Sequence, residues 1–422
     1  MGSIGFDFGT TNSSAAGSKK GKTTMLGIDP TNDSSTIMKS VLFFSEESKI
    51  VYAGEDAIQQ YIQDYTDGRF LRSIKRLLSS TTFTSTRLLG RSKNCVDIIS
   101  VFLKIARERC ESDLQRTVDN VILGRPVFFS DKPEIDKLAE KRLLDAAYQA
   151  GFKEVEFQLE PIAAALSFEQ SLPDNHEKVV LMGDFGGGTS DFALVKLQKD
   201  NPHSKNRKDD VLGVGGIYIA GDEFDSLIMW EKLAKWFGKG TTYKSFEGRD
   251  HEFPIWILHK LRYWHLLPLL RERKTQQIIR EIQQHSNNRS VINNLMTLIQ
   301  DNLSILLFRE IEAAKCDLSS RDKVSILFDH LGEAIEETLT TEEFEDFIHA
   351  EVKKISKAVD EVLIQAGVDL RDVDHVFLTG GSSRIPLIQE IFMKRFGIDK
   401  VKVGDAFSSI AYGLGLMASR TF

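Results

Sequence analysis

An α/β protein made of two duplicated lobes is the architecture this sequence predicts, and three observations predict it. First, two segments are rough copies: Ile4-Gly5-Phe6-Asp7-Phe8-Gly9-Thr10-Thr11-Asn12-Ser13 and Leu181-Met182-Gly183-Asp184-Phe185-Gly186-Gly187-Gly188-Thr189-Ser190-Asp191-Phe192. Each is a short apolar strand, an Asp, a Gly/Thr-rich turn and a return strand. Second, strand-like and helix-like patterns alternate along most of the chain. Third, 422 residues exceed what one small core organises, and the length prior is about two to four domains or subdomains.

In chain order, the first hairpin is followed by a polar turn at Ser18 to Lys22 and a strand through Val41 to Phe44. A mixed segment to about residue 115 carries the basic stretch Ser73-Ile74-Lys75-Arg76-Leu77-Leu78. Val118 to Phe129 reads as a strand broken at Gly124-Arg125-Pro126. Ile135, Leu138, Leu143, Leu144 and Ala147 step with helical spacing that stops at Gly151. Val155 to Leu159 is a strand, and Glu160-Pro161 opens a helix of small residues through Leu166.

The second hairpin begins at Val179, and its return strand is Phe192 to Leu197. Asn201 to Asp210 reads as an exposed polar loop, and the glycine-rich Gly213 to Gly221 leads into a helix from Glu223. Residues 226–320 are predicted mostly helical and hold all four tryptophans, Trp230, Trp236, Trp256 and Trp264. Such a cluster serves either as the core of a helical subdomain or as a partner surface. Thr341 is the predicted N-cap of a helix through Gln365. Val376 to Leu378 is a strand, Gly380 to Pro386 starts another helix, and a Gly-rich helix from Ile410 to Ala418 ends the pattern.

The two Asp turns suit phosphate. Small residues let backbone N–H groups approach an anion, hydroxyls add donors, and an Asp can hold the Mg²⁺ that accompanies a nucleotide. The Asp7 turn alone reads equally well as a plain hairpin tip. Three consecutive glycines after Asp184 are costly unless something must come close. Gly17-Ser18-Lys19-Lys20-Gly21-Lys22-Thr23 imitates a P-loop, but its glycines are separated by three residues rather than four. Glu312, Lys315 and Ser319 share a helical face by spacing, which suits contacts to a base or ribose as well as surface ion pairs.

Composition narrows the function classes. A net charge of −7 argues against general nucleic-acid binding. No apolar run is long enough to span a membrane, and the start lacks the basic-then-apolar pattern of a secretion signal. Phe6 stands where a myristoylation signal needs Ser or Thr. Cys95, Cys110 and Cys316 are too scattered for a disulfide framework or a zinc site, and the nine histidines show no ligand spacing. The expectation is a cytoplasmic protein with no membrane or nucleic-acid partner.

Four ordered motifs now carry a resemblance. Gly5 to Ser13, Glu160-Pro161-Ile162-Ala163-Ala164-Ala165, Asp184 to Asp191 and Thr379-Gly380-Gly381-Ser382-Ser383-Arg384-Ile385-Pro386 resemble the phosphate-1, connect, phosphate-2 and adenosine motifs of DnaK-type heat-shock chaperones. The resemblance implies the duplicated actin-like (ribonuclease H-like) ATPase fold, two lobes around a nucleotide cleft. It divides the chain into lobe I at 1–175, with 404–422 returning to it and a subdomain at about 38–115. Lobe II is then 176–403, with a helical subdomain at about 226–330. It covers nearly the whole chain and is weakest from about 235 to 300.

By motif, the resemblance implies Asp7, Asp184 and Asp191 around Mg²⁺ and its waters, and catalytic roles for Lys75, Glu160, Thr189 and Asp191. Gly9, Thr10, Thr11, Asn12, Gly186, Gly187, Gly188 and Thr189 would hold the phosphates. Gly380, Gly381, Ser382 and Arg384 would hold the adenosine, with Glu312, Lys315 and Ser319 facing base and ribose. The implied activity is slow ATP hydrolysis by a chaperone-like protein that opens and closes on Mg-ATP, with ADP as product and K⁺ as a further candidate ion. Co-chaperones or another protein are the implied partners. The alternative is a nucleotide sensor or scaffold of the same fold that does not hydrolyse.

Three departures stand out. The chain stops at Phe422, so the expectation is a protein without the client-gripping part, most similar to the short YegD-type branch through Gly124-Arg125-Pro126 and Gly404-Asp405-Ala406-Phe407. Cys316 stands where these chaperones place an arginine against the adenine, a contact worth about 0.5–2 kcal/mol. Phe407-Ser408 replaces the Asp-Glu pair usual before the last Ala-Tyr-Gly.

Overall fold

The duplication seen in the sequence is repeated, strand for strand, in two sheets. The computed structural model describes residues 2–64, 67–172, 175–199, 210–245, 248–263, 266–405 and 408–422. Trp264, Phe407 and residues 201–209 of the loop expected at 201–210 lie outside them. Two compact units are present: residues 1–221 with 353–422, and residues 222–352.

Both sheets lie in the first unit. One runs Glu154–Leu159, Val118–Arg125, Gly2–Asp7, Asn12–Lys19, Lys22–Met25, with Ile37–Lys39 also paired to Asn12–Lys19. The other runs Val401–Val403, His375–Thr379, Lys178–Phe185, Ser190–Leu197, Val211–Ile217. In each, an Asp-bearing strand turns back into an antiparallel partner and takes a parallel neighbour on its other side. Asp7 and Asp184 therefore occupy equivalent places, at or next to the end of the first strand of each copy. Their strands are nearly fully buried because both faces are covered, which is why they read as apolar runs rather than alternating ones.

Helices Glu160–Glu169 and Ser409–Thr421 help form one core with residues of both sheets, among them Ile122, Met182, Ala193 and Phe377. A second core packs Ile4, Phe6 and Phe8 against helices Cys95–Leu114 and Pro133–Gln149.

The second unit is mostly helical, as its periodicity suggests, but it also holds two strand pairs. Thr242–Lys244 pairs with Asp250–Glu252, and Lys323–Phe328 with Ile335–Thr340. Val211–Ile217, in the first unit, covers part of the glycine-rich stretch to which the sequence assigns no strand, and it is an edge strand. Short strands of this kind exist only through their partners, so local pattern does not reveal them. The helix predicted from Thr341 runs Thr341–Ala366, and its cap is one residue earlier. Glu343 N–H donates to Thr340 Oγ1 (3.2 Å) while Thr340 N–H donates to Glu343 Oε2 (3.0 Å), a reciprocal capping box. Among the tryptophans, Trp236 Nε1 donates to Glu337 (2.6 Å), and Trp230 lies under Lys239 at 4.5 Å. Trp256 is 39% exposed, so a core role does not account for it. Among the described residues no single helix is long and apolar enough to cross a membrane.

Candidate functional site

The first Asp turn is braced by a residue the sequence analysis did not single out. Ser40 N–H donates to Thr11 O (2.8 Å), and Ser40 Oγ donates to Gly9 O (2.7 Å) and lies 2.9 Å from Ser13 Oγ. These bonds occupy the turn's carbonyls at Gly9 and Thr11. The Thr11 hydroxyl is buried with no hydrogen-bond partner among the described residues.

The second turn is closed by Gly186 N–H to Thr189 O (3.0 Å). Gly186 O in turn accepts from Gly221 N–H (3.2 Å) and Ser382 Oγ (3.3 Å). The two turns meet within the first unit: a Cβ placed on Gly188 would stand 3.1 Å from Thr10 Oγ1. A side chain there would wedge between the two turns, which explains a glycine better than any demand of the local backbone.

Lys75 reaches the same place from a short 3₁₀ turn, Ile74–Leu77. Ser73 enters that turn in the left-handed region (φ +50°), a costly conformation for a non-glycine residue. Arg142, from helix Pro133–Gln149, donates to Leu78 O (2.7 Å) and Ser80 O (2.9 Å) and so ties down the turn's far end. Lys75 Nζ bonds Glu160 Oε1 at 2.7 Å, with the two side chains only 9% and 6% exposed. Glu160 is the first residue of its helix, where a carboxylate is favoured by the helix dipole.

Three buried carboxylates, Glu160, Asp184 and Asp191, and the partly exposed Asp7 thus share one ammonium, Lys75, among the described residues. Burial, then Glu160, pushes Asp7 up to about 7 against the pull of Lys75. Asp191 is likewise pushed up to about 7 by burial and Glu160, while the Thr189 hydroxyl, the Val127 N–H and Lys75 oppose the rise. Burial followed by Glu160, Asp7 and Asp191 holds Asp184 well above the carboxylate range. For Lys75, burial alone would lower its pKa, but Glu160 and Asp7 raise it above the ordinary lysine value, so it stays charged.

This imbalance gives a testable pH dependence. Asp7 has a folded pKa above its unfolded value, so its contribution to stability is complete below about pH 4 and is lost as pH rises through about 7. Without nucleotide or metal, Asp7→Asn is expected to be more stable than wild type at pH 8, on the order of 1–3 kcal/mol, and close to it only near pH 4. Denaturant melts of both proteins at the two pH values check this. Equal stability at pH 8 would mean the Asp7 carboxylate is not strained.

An anion-rich, nearly dry cluster with a spare buried hydroxyl calls for a cation. Among the described residues no three carboxylate, His or Cys side chains stand close enough to cage a metal directly. Carboxylate oxygens and a hydroxyl are the hard donors that suit Mg²⁺, an ion that keeps much of its water and binds through one or two carboxylates and a substrate's phosphates.

Of the remaining predicted residues, the Gly380 to Arg384 turn packs on the second Asp turn, whereas Glu312, Lys315 and Ser319 belong to the second unit. Gly381, Ser382 and Arg384 form a 3₁₀ turn after Gly380, with Ser382 buried against Gly186 and Arg384 exposed. Glu312 and Lys315 lie on helix Ser304–Asp317 of the second unit, but Ser319 lies past its end and does not extend the helical face expected from spacing. Lys315 is bound to Asp225 at 2.7 Å, and Cys316 beside it is exposed.

Comparison with known proteins agrees with this geometry. The profile of the Hsp70 protein family matches residues 3–244 and 279–419. The chain is similar to the chaperone protein DnaK of Thermosipho africanus (strain TCF52B), 24% identical over 426 aligned positions, covering 99% of this chain and 58% of that one. DnaK of Thermosipho melanesiensis (strain DSM 12029 / CIP 104789 / BI429) is also 24% identical, over 99% of this chain and 59% of its own length. The chain thus spans a little under three fifths of the length of these relatives.

Proposed function

Since the chain belongs to the Hsp70 family, we propose that it binds ATP and ADP with Mg²⁺, hydrolyses ATP slowly, and uses the resulting opening and closing as a chaperone-like output. The observation that carries this reading is the meeting of the buried Lys75, Glu160, Asp184 and Asp191 with Asp7 at two Gly/Thr turns.

Hydrolysis requires water oxygen to bond to the γ-phosphorus while the bond from that phosphorus to the ADP oxygen breaks, and the water's proton must go to a base. Lys75, kept charged by Glu160 and Asp7, would neutralise the γ-phosphoryl oxygens. Asp191, raised to about 7, suits a base working at neutral pH. Thr189 lies against that carboxylate and can orient it. Thr10, Thr11 and the amides of Gly186 to Gly188 would grip phosphate oxygens. Asp7 and Asp184 would hold the waters of Mg²⁺, which when bound offsets phosphate charge. The adenosine end would rest on Gly380, Gly381, Ser382 and Arg384. A cytoplasmic place, co-chaperone partners and kinship with the YegD-type branch, supported by Gly124-Arg125-Pro126, complete the reading.

A sensor or scaffold that holds nucleotide without turnover is the second reading. The buried Lys75–Glu160 pair weighs against it. Mere phosphate binding does not need two opposed charges held dry.

Asp184→Asn is expected to lower Mg-ATP affinity or turnover by about tenfold or more and to leave the fold intact. Binding and single-turnover hydrolysis measured beside circular dichroism check this. Unchanged affinity and rate would remove Asp184 from the site.

A further inference from the structure

Asp191 Oδ1 accepts a 2.9 Å hydrogen bond from the buried backbone N–H of Val127. That N–H belongs to the peptide unit joining Pro126 to Val127, and the opposite end of the same plane is Pro126 O. In a trans peptide the two groups point in opposite directions, so a bond at the oxygen sets the aim of the N–H. Arg125 Nε–H donates to that oxygen at 3.1 Å. One peptide plane is therefore held at both ends, by a guanidinium on one side and the site carboxylate on the other.

The guanidinium is itself immobilised. Its NH2 group donates to both oxygens of Asp136 at 3.0 Å, its NH1 group bonds Glu140, and it lies 5.1 Å from the centre of the Phe129 ring. Asp136 Oδ1 also accepts from Phe129 N–H at 2.7 Å, which fixes the backbone on the far side of Val127. Asp136 and Glu140 lie on helix Pro133–Gln149, one turn apart. Pro126 has no N–H of its own to contribute to a ladder, so this side-chain clamp is what sets the segment between strand and helix.

We propose that Arg125 is a positioning residue for Asp191, acting through the Pro126–Val127 peptide; the proposal rests on Asp191 belonging to the nucleotide site. Charge on the guanidinium polarises the peptide in the direction that strengthens its bond to the carboxylate. Lysine cannot replace it, since it lacks both the Nε–H donor and the flat fork that Asp136 grips.

The test compares wild type with Arg125→Ala and Arg125→Lys by residue-resolved amide hydrogen exchange without nucleotide, then by Mg-ATP binding and single-turnover hydrolysis. Both variants are expected to exchange the Val127 amide about tenfold or more faster, with Val121 and Ile122 in the adjoining strand unchanged. Hydrolysis is expected to fall about tenfold while ATP affinity stays within about twofold. If Arg125→Ala does not fold, Arg125→Lys carries the comparison. Unchanged Val127 exchange overturns the clamp, and faster exchange with an unchanged hydrolysis rate overturns the positioning role. A wild-type protein that binds but does not hydrolyse ATP would defeat the proposed function, and the exchange result would still decide whether Arg125 sets the Val127 amide.

Discussion

Lys75→Ala is expected to lower single-turnover hydrolysis of Mg-ATP by about 100-fold or more while leaving ATP binding measurable. The reason is electrostatic. Among the described residues Lys75 is the ammonium that Asp7, Glu160, Asp184 and Asp191 share, and it is buried, so its charge acts with little screening. Removing it also strands Glu160 as an unpaired buried carboxylate, a loss of about 3–5 kcal/mol when such a pair is broken. Proton uptake by the carboxylates relieves part of that loss, so the variant should be least stable above neutral pH. Rates and binding measured in the same samples, with thermal melts alongside, check both parts. Equal hydrolysis by wild type and variant would take Lys75 out of the reaction. Equal binding with no hydrolysis by either would make the protein a nucleotide-gated binding module.

The largest effect on stability is expected at Gly413. This residue sits within helix Ser409–Thr421, where replacing glycine by alanine ordinarily gains about 1 kcal/mol. Here a Cβ would stand 1.8 Å from Ala163 O, a backbone atom of helix Glu160–Glu169 that no rotamer change can move aside. The helices must part or the substitution fails, so Gly413→Ala is expected to destabilise by about 3 kcal/mol or more, and Gly413→Val to prevent folding. Gly332→Ala is the control: a Cβ there meets nothing within 4 Å, and its effect should stay within about 0.5 kcal/mol. Melting temperatures of the purified variants decide it. A Gly413→Ala protein as stable as the control would mean the helices separate freely.

Much of the candidate site's layout was legible because its turns are contiguous residues. Each Asp turn is one short segment, and its apolar strand, acid and small residues signal together. Lys75 and Glu160 were legible only through family resemblance, since nothing in Ser73 to Leu78 or Glu160 to Ala165 announces a partner 85 positions away. Ser40, Arg142 and Val127 carried no signal at all. Their contributions are a hydroxyl, a guanidinium and a peptide N–H that become specific only when distant segments are brought beside them. The strands Val211–Ile217, Lys323–Phe328 and Ile335–Thr340 escaped for the same reason, because a short strand is specified by its neighbours.

The sequence by itself determined the duplicated α/β plan, the two Asp turns and the residue types available for gripping a phosphate, because these follow from local periodicity and from what small residues permit. Tertiary structure alone decided that Lys75 pairs with Glu160, that Gly188 abuts Thr10, and that one peptide plane is stretched between Arg125 and Asp191. It also decided the charge states. A carboxylate's pKa reflects its burial and the charges packed around it, and those depend on which parts of the chain meet.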